Sequence, residues 1–486
     1  MKTTTMKNIV PIAVLFVLVV FTSCKKELEL APHQIYYDNF YQTEEDALSA
    51  VNAVYDVLGS VSQYCSSLWL VQDISSDDCN ARPTLNDPNL HQFTTYDIQP
   101  SNNYLAGIWQ GSYLGISRAN VVLEKVPGIE MDSAIRVRIQ GEARFLRALF
   151  YFNMVRLFGE VPLDTVPVSA SLGDDEIYLT KSPVNAVYAQ IIKDLILAAD
   201  MLPAKYTSPN DKGRATKGAA WGLLSKVYLT TEDWTNAYLT ADKVKVLNQY
   251  SLFPDYISNF KEINKNGKES VFEVQFYKKA TAENSQMVIA GLPSIQGLFS
   301  AGTETMLPTQ DLINSFETGD HRKDVTFFDH YWNYVFEPHI WKYWDQDAYK
   351  PSATTQSGAD FMVMRYSEIL LIYAEALNEA NAGPTVEAYD AINQIRKRAR
   401  NSVADVLPDL ADLSQSDFRQ AVLNERRHEF VSEGQRWYDL VRTRSLIENV
   451  KRAKGETSNP TAINYVFPIP QRELDNNRNL KQNEGY

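Results

Sequence analysis

Apolar residues recur at helical spacing over about 44–58, 104–126, 133–158, 183–201, 214–230 and 234–247, and again over about 308–316, 365–380, 385–400 and 415–443. The chain therefore reads as mainly α. Within 133–158, Ile139, Ala143, Leu146, Phe150 and Val155 hold one periodic stripe while Glu142, Arg144 and Arg147 fall between them. Gly159 and then Pro162 end that segment, because glycine accepts a left-handed cap and proline cannot continue a helix. Two stretches look alike: Gly218–Val246, with Ala237 and Tyr238 in its second half, and Leu370–Ala399, with Ala388 and Tyr389 similarly placed. Both read as helix, short turn, helix, and resemble tetratricopeptide-like hairpins, which stack because neither helix buries its apolar face alone.

Between these segments, residues 59–103, 248–307 and 317–360 lack a helical period and are rich in Asn, Asp, Ser, Gly and aromatics. Ser270–Tyr277 alternates Val271, Glu273 and Gln275 with Phe272, Val274 and Phe276, which predicts a short strand. The expected architecture is one helical domain over 41–486, with tetratricopeptide-like hairpins, minor β and a large irregular, loop-rich portion. Long structured loops on a rigid scaffold are where ligands are usually met.

The first residues carry an address. Met1–Lys7 is short and basic, Ile9–Phe21 is an unbroken apolar run of thirteen, and Thr22 and Ser23 precede Cys24. A helix of thirteen residues rises about 20 Å, too short for a hydrocarbon core of about 30 Å, so 1–23 reads as a secretory signal peptide that is removed. A cysteine just after two small residues resembles a bacterial lipobox, although Phe21 stands where Leu is usual. Cys24 is then acylated, and each buried methylene of the added chains contributes about 0.8 kcal/mol to membrane anchoring. Residues 24–40 read as the lipidated cysteine and a tether.

Composition narrows the function. Of 486 residues 44% are hydrophobic and 22% charged, which permits a large core. The formal net charge is −13, and the leader holds two lysines and no acid, so the mature chain is more acidic still. A nucleic-acid partner is not expected, since phosphate backbones require a basic face. Cys65 and Cys79 lie in an exported compartment where a disulfide is chemically permitted, and whether they pair depends on geometry.

The 27 Tyr and 8 Trp include side chains that suit sugar faces as well as cores. Two loop regions are candidate ligand surfaces. The first holds Asp73, Asp77, Asp78, Asn80 and Arg82, whose carboxylates, amide and guanidinium could fork onto vicinal hydroxyls, with Trp69 just before them. The second holds Tyr331, Trp332, Tyr334, Trp341 and Trp344. Trp341 and Tyr343 alternate with Lys342, which also reads as a strand with its aromatics buried.

Signals for catalysis are weak. Sixty acidic residues supply many chance carboxylate pairs, and none stands out at the separation a glycosidase needs. His428-Glu429 begins like a zinc-protease helix, but Ser432 stands where the second histidine belongs. There is no Gly-x-Ser-x-Gly elbow and no Walker-type loop, and neither a metal nor another cofactor is expected.

Several segments together resemble the SusD/RagB family of outer-membrane nutrient-binding lipoproteins. They are Gly141–Phe152 (GEARFLRALFYF) running to Arg156–Pro162 (RLFGEVP), Gly213–Ala220 (GRATKGAA), Arg365–Glu379 (RYSEILLIYAEALNE), Glu425–Arg427 leading to Glu433–Leu440 (EGQRWYDL), and Phe467–Pro470 (FPIP) with Gln482–Tyr486 (QNEGY). Glu484 departs from the proline often found there. The resemblance spans the mature chain and implies a helical lid over a SusC-like TonB-dependent transporter barrel, lipid-anchored in the outer membrane and facing outward. The implied ligand is an oligosaccharide or, in some members, a peptide; a surface glycoside hydrolase is the rival reading. The motif charges Glu142, Arg147, Glu375, Arg426, Arg427, Glu433 and Arg436 sit among apolar neighbours, which predicts a structural role.

Overall fold

A computed structural model describes residues 40–167, 178–278, 284–300, 302–346, 357–403 and 405–486. The expected signal peptide, Cys24 and nearly all of the expected tether lie outside them.

Among the described residues, eight helices build the first half: α1 (Glu44–Leu58), α2 (Ser67–Ile74), α3 (Pro88–Thr95), α4 (Asn103–Lys125), α5 (Ser133–Phe158), α6 (Val184–Met201), α7 (Lys217–Thr230) and α8 (Trp234–Val246). Their starts carry local signals. Thr43 Oγ1 accepts from Asp46 N while the Asp46 carboxylate accepts from Thr43 N, a reciprocal capping box ahead of α1. Asp132 accepts from the amides of Ala134 and Ile135 and so caps α5, which ends at Gly159 with φ 71°. The α5 stripe Ile139, Ala143, Leu146, Phe150 and Val155 is buried as the spacing predicts, yet Glu142, Phe145, Arg147 and Leu149 are buried as well. This helix is central, covered by α4 on one side and α6 on another. At Gly115 of α4 an added Cβ would stand 2.2 Å from the Phe150 ring, so only glycine permits that approach.

The rest of the chain supplies β1 (Cys79–Ala81), β2 (Ser270–Val274), α9 (Met287–Gly291), β3 (Met306–Pro308), α10 (Gln310–Ser315), α11 (Arg322–Thr326), β4 (Phe327–Tyr331), β5 (Tyr334–Ile340), β6 (Phe361–Arg365), α12 (Tyr366–Ala380), α13 (Val386–Ala399), α14 (Gln415–Glu429), α15 (Arg436–Arg442), α16 (Leu446–Lys454) and α17 (Gln471–Asn476). The strands form three antiparallel pairs, β1–β3, β2–β6 and β4–β5. Both repeat-like hairpins are present, α7–α8 and α12–α13, and α8 packs on α12. Ala237 and Ala241 of α8, and Ala388 and Ala391 of α13, are buried at those seams, where small side chains let helices approach.

Two expectations need correction, and one open question is answered. The apolar pattern over 415–443 is two helices, separated where Ser432 (φ 56°) and Gly434 (φ 64°) turn left-handed; a Cβ on Gly434 would lie 2.1 Å from Gln72 Oε1. The stretch 59–103, expected to be irregular, holds α2 and α3, too short to show a period against their polar neighbours. The disulfide open to Cys65 and Cys79 does not form. Both are free and buried, Cys65 donating to Asn284 O at 3.2 Å and Cys79 locked in the β1–β3 ladder opposite Pro308. Among the described residues no helix is long and apolar enough to cross a membrane.

A lattice of buried charge ties the later segments of the chain together. Arg365, 1% exposed, donates Nε to Glu433 at 2.9 Å, and Nη1 to Glu429 at 2.7 Å and to Glu269 at 2.9 Å. Arg398 bonds Glu269 through both carboxylate oxygens and also reaches Glu429. Arg322 grips Asp320, Glu425 and Glu429. Burial by itself would raise the Glu429 carboxyl, but Arg398, Arg365 and Arg322 overcome it and hold the group well below the usual carboxylate range.

Glu429→Gln leaves those guanidinium groups short of an anion, so it is expected to cost about 3–5 kcal/mol at pH 7, read by denaturant unfolding of residues 25–486. Because the folded pKa of Glu429 is depressed, its stabilisation is present above the ordinary value of 4.5 and fades as the pH falls through it. His428 works in the same direction: burial, then Arg322, take it from 6.5 down to about 3, so stability also erodes below pH 6.5. The gap between wild type and Glu429→Gln should therefore shrink at acid pH; an equal midpoint at pH 7 would contradict this account. For the thiols, Ellman's reagent should titrate none in the native fragment 25–486 and two after unfolding without reductant.

Candidate functional site

Backbone pairing brings distant loops together. Antiparallel β1 and β3 align Cys79 with Pro308 and Ala81 with Met306, and Arg82 N then donates to Thr305 O. Beside them β4 and β5 form a hairpin in which Tyr331 faces Tyr334 across a two-residue turn, Trp332-Asn333. Trp332 takes φ 50°, a left-handed conformation unusual for a bulky side chain. Its indole stands 75% exposed, with Tyr334 48% exposed next to it. A two-residue hairpin turn calls for a left-handed residue, and here a bulky aromatic takes that place and stands in solvent.

Behind the tip the rings grade into the core. Trp332 tilts against Tyr331 at 5.2 Å, Tyr331 meets Trp344 at 5.5 Å and Phe299 at 5.3 Å, and Phe328 stacks on Trp341 at 4.7 Å. Phe299 is 1% exposed, so the assembly has a fixed base and a free edge. Trp341 and Trp344 also wall a cavity of about 260 Å³, completed by Ile257, Phe260, Lys261 and Asp345. Lys342 lies at its floor, donating to Glu433 at 2.7 Å and to Tyr256 Oη at 3.2 Å. The aromatic wall is thereby bolted to the charged lattice.

The first predicted region is placed differently from expectation. Trp69 and Asp73 lie on α2, which is buried on all sides, and Asp77 and Asp78 follow it, both buried. Arg436 clamps Asp77 bidentately at 2.7 and 2.8 Å, and Arg427 holds Asp78 at 2.7 Å. Asp73 accepts from Gly434 N, and burial, reinforced by the Asp78 charge, pushes its carboxyl well above the usual range. These four side chains face the interior: Asp77 and Asp78 answer arginines of the 427–436 segment, Asp73 answers the Gly434 amide, and Trp69 packs in the core. Asn80 and Arg82 are half-buried; Arg82 pairs with Glu304 and comes within 4.0 Å of Glu337 on β5. Arg82 is thus where the two predicted regions meet.

From the second region, Tyr331, Trp332 and Tyr334 offer surface, whereas Trp344 is 5% exposed and supports them from behind. Trp341 is half-buried and follows the end of β5 at Ile340 rather than lying within a strand. Phe299, Phe328 and Phe336 complete the wall, and in the sequence they are three phenylalanines among many in an aromatic-rich stretch. The motif charges are internal: Glu142 binds Arg214, Arg147 binds Asp194, Glu375 binds Arg442 and Arg426 binds Asp439.

Chemically, the exposed rings offer flat faces and hydroxyl tips suited to an amphipathic ring ligand. Among the described residues no His, Cys, Asp and Glu group is arranged to hold a metal. Glu273 and Asp360 share a hydrogen bond beside Lys265, and burial together with the Asp360 charge lifts Glu273 to about 8. Carboxyls in direct contact lack the ~5–9.5 Å gap across which a glycosidase places its bond. His428 sits against Phe316 and Ser315, in a packing role.

Two family models match the chain: the SusD family over residues 333–486, and a family described as starch-binding associating with outer membrane over residues 34–229. A SusD-like protein of Formosa agariphila is 28% identical, over 92% of this chain and 94% of its own. A solved SusD superfamily protein of Parabacteroides distasonis is 27% identical, covers 91% of this chain and 99% of its own, and superposes with a TM-score of 0.80. A laminarin-binding SusD-like protein is 27% identical, covers 92% and 100%, and gives a TM-score of 0.77.

Asp77→Asn is expected to lower the midpoint of thermal unfolding by several degrees, since it strips the charge from a buried clamp shared by Arg436 and Arg427. An unchanged midpoint with altered ligand binding would return Asp77 to the binding surface.

Proposed function

The chain belongs to the SusD family, and we propose that it captures nutrient oligosaccharide at the bacterial surface and delivers it to a TonB-dependent transporter barrel. In this reading Cys24 is acylated and anchors the protein in the outer membrane, facing outward, and residues 24–40 form the tether. The protein is the lid of a SusC-like barrel and performs no turnover. The reading is carried by the free edge of the aromatic wall, Tyr331, Trp332 and Tyr334, held out on a strained hairpin whose base is buried. It agrees with the laminarin-binding relative and with the starch-binding family description. Weak, selective capture suits a lid that must release its cargo, and a few stacking rings at about 0.5–1.5 kcal/mol each supply binding of that order.

The test is calorimetry of residues 25–486 against soluble polysaccharides, oligosaccharides and peptides, with product release followed in the same tubes. A glycan is expected to bind without being cut. Trp332→Ala should weaken it by roughly 1 kcal/mol, about fivefold in Kd, with no change in Tm because the indole is exposed. Hydrolysis would make the protein an enzyme, binding to peptides alone would keep the transporter role and discard the sugar, and full affinity in Trp332→Ala would move the site elsewhere.

A further inference from the structure

The hairpin that carries the exposed rings has a pronounced charge bias. Residues 327–340 contain Asp329, Glu337 and two histidines, and no lysine or arginine. Asp329 stands two residues before Tyr331 with its side chain 63% exposed, and meets His330 Nδ1 at 2.7 Å. Glu337 is 53% exposed, on the strand that carries Tyr334. The guanidinium that approaches from outside the hairpin, Arg82, is already held by the nearly buried Glu304 and lies 4.0 Å from Glu337. Of the cations close by, Lys342 is committed to Glu433 and Arg322 to Asp320, Glu425 and Glu429, while Lys261 lines the cavity behind the rings.

An anionic sugar chain needs fork-like or point-charge donors to replace the hydration of its sulfates or carboxylates. The hairpin presents the opposite sign, within a chain whose net charge is −13. A neutral sugar faces no such penalty. Its hydroxyls donate, and carboxylates accept two or more such bonds each.

We propose that this face takes an uncharged glycan, and that Asp329 and Glu337 are specificity-determining residues that reject chains carrying uronate or sulfate. The proposal rests on the glycan-capture reading above and names the ligand class of the same site. Rejection is electrostatic, so it acts within a screening length of about 8 Å at physiological salt and about 3 Å at 1 M.

The experiment uses matched pairs that differ only in charge: laminarin and sulfated laminarin, dextrin and carboxymethyl dextrin, titrated into residues 25–486. For each neutral glycan that binds, its charged form is expected to bind at least tenfold more weakly at low salt, with the gap narrowing at high salt. Asp329→Lys combined with Glu337→Lys should close that gap at least fivefold while Tm holds, since both side chains are more than half exposed. Asp329→Asn, which only removes charge, should move the ratio the same way by less. A charged form that binds as tightly as its neutral partner, or a gap unmoved in both variants, overturns the proposal and leaves glycan capture standing. Failure of every glycan, charged or neutral, overturns the capture reading and this one together.

Discussion

The structure hangs on the salt-bridge lattice around Arg365, Glu429 and Glu433. Its members come from the residue before β2, α11, the turn after β5, the β6–α12 junction, α13, α14 and the break that follows α14, segments scattered from residue 269 to 433. Charges this deeply buried are stable only when each finds its partners, so the lattice allows one arrangement of these elements and penalises others heavily. That all-or-none character lets helices with modest apolar faces meet irregular segments in a defined way.

The aromatic site inherits its rigidity from this lattice. Glu433 lies in the break between α14 and α15, and reaches Lys342, whose neighbours Trp341 and Trp344 back the hairpin. The left-handed turn at Ser432 and Gly434 is what points Glu433 inward. A residue pattern that looks like an interrupted helix is therefore the means by which a scaffold element fixes a ligand-facing wall. The ring gradient from Phe299 to Trp332 follows from the same anchoring, because only a fixed base can hold a strained, solvent-facing indole in place.

Most helices were legible along the chain, since period and caps are local properties: 133–158 coincides with α5, and 365–380 with α12 to within a residue. So was the internal role of the motif charges, because Glu142, Arg147 and Arg426 lie among apolar neighbours. The strand at 270–274 showed by its alternation. The site was legible only by halves. Tyr331, Trp332 and Tyr334 stood out as aromatics in a loose segment; Trp332 and Tyr334 are exposed and Tyr331 is half-buried beside them. Asp73, Asp77 and Asp78 looked like ligand groups for the same reason, polar residues in a non-periodic stretch, and they are buried.

The difference lies in where the partners are. The amino-acid sequence by itself determined helical class, the hairpin repeats and the family resemblance, because these depend on neighbours within a few residues or on motifs in order. It could not say which acids would be neutralised, since Asp77 meets Arg436 across 359 positions and Glu433 meets Arg365 across 68. Burial of those pairs, the free state of Cys65 and Cys79, and the exposure of Trp332 were decided by tertiary structure alone. A carboxylate in a loop binds a ligand or a guanidinium according to which one the fold brings within about 3 Å, and that distance is set by packing.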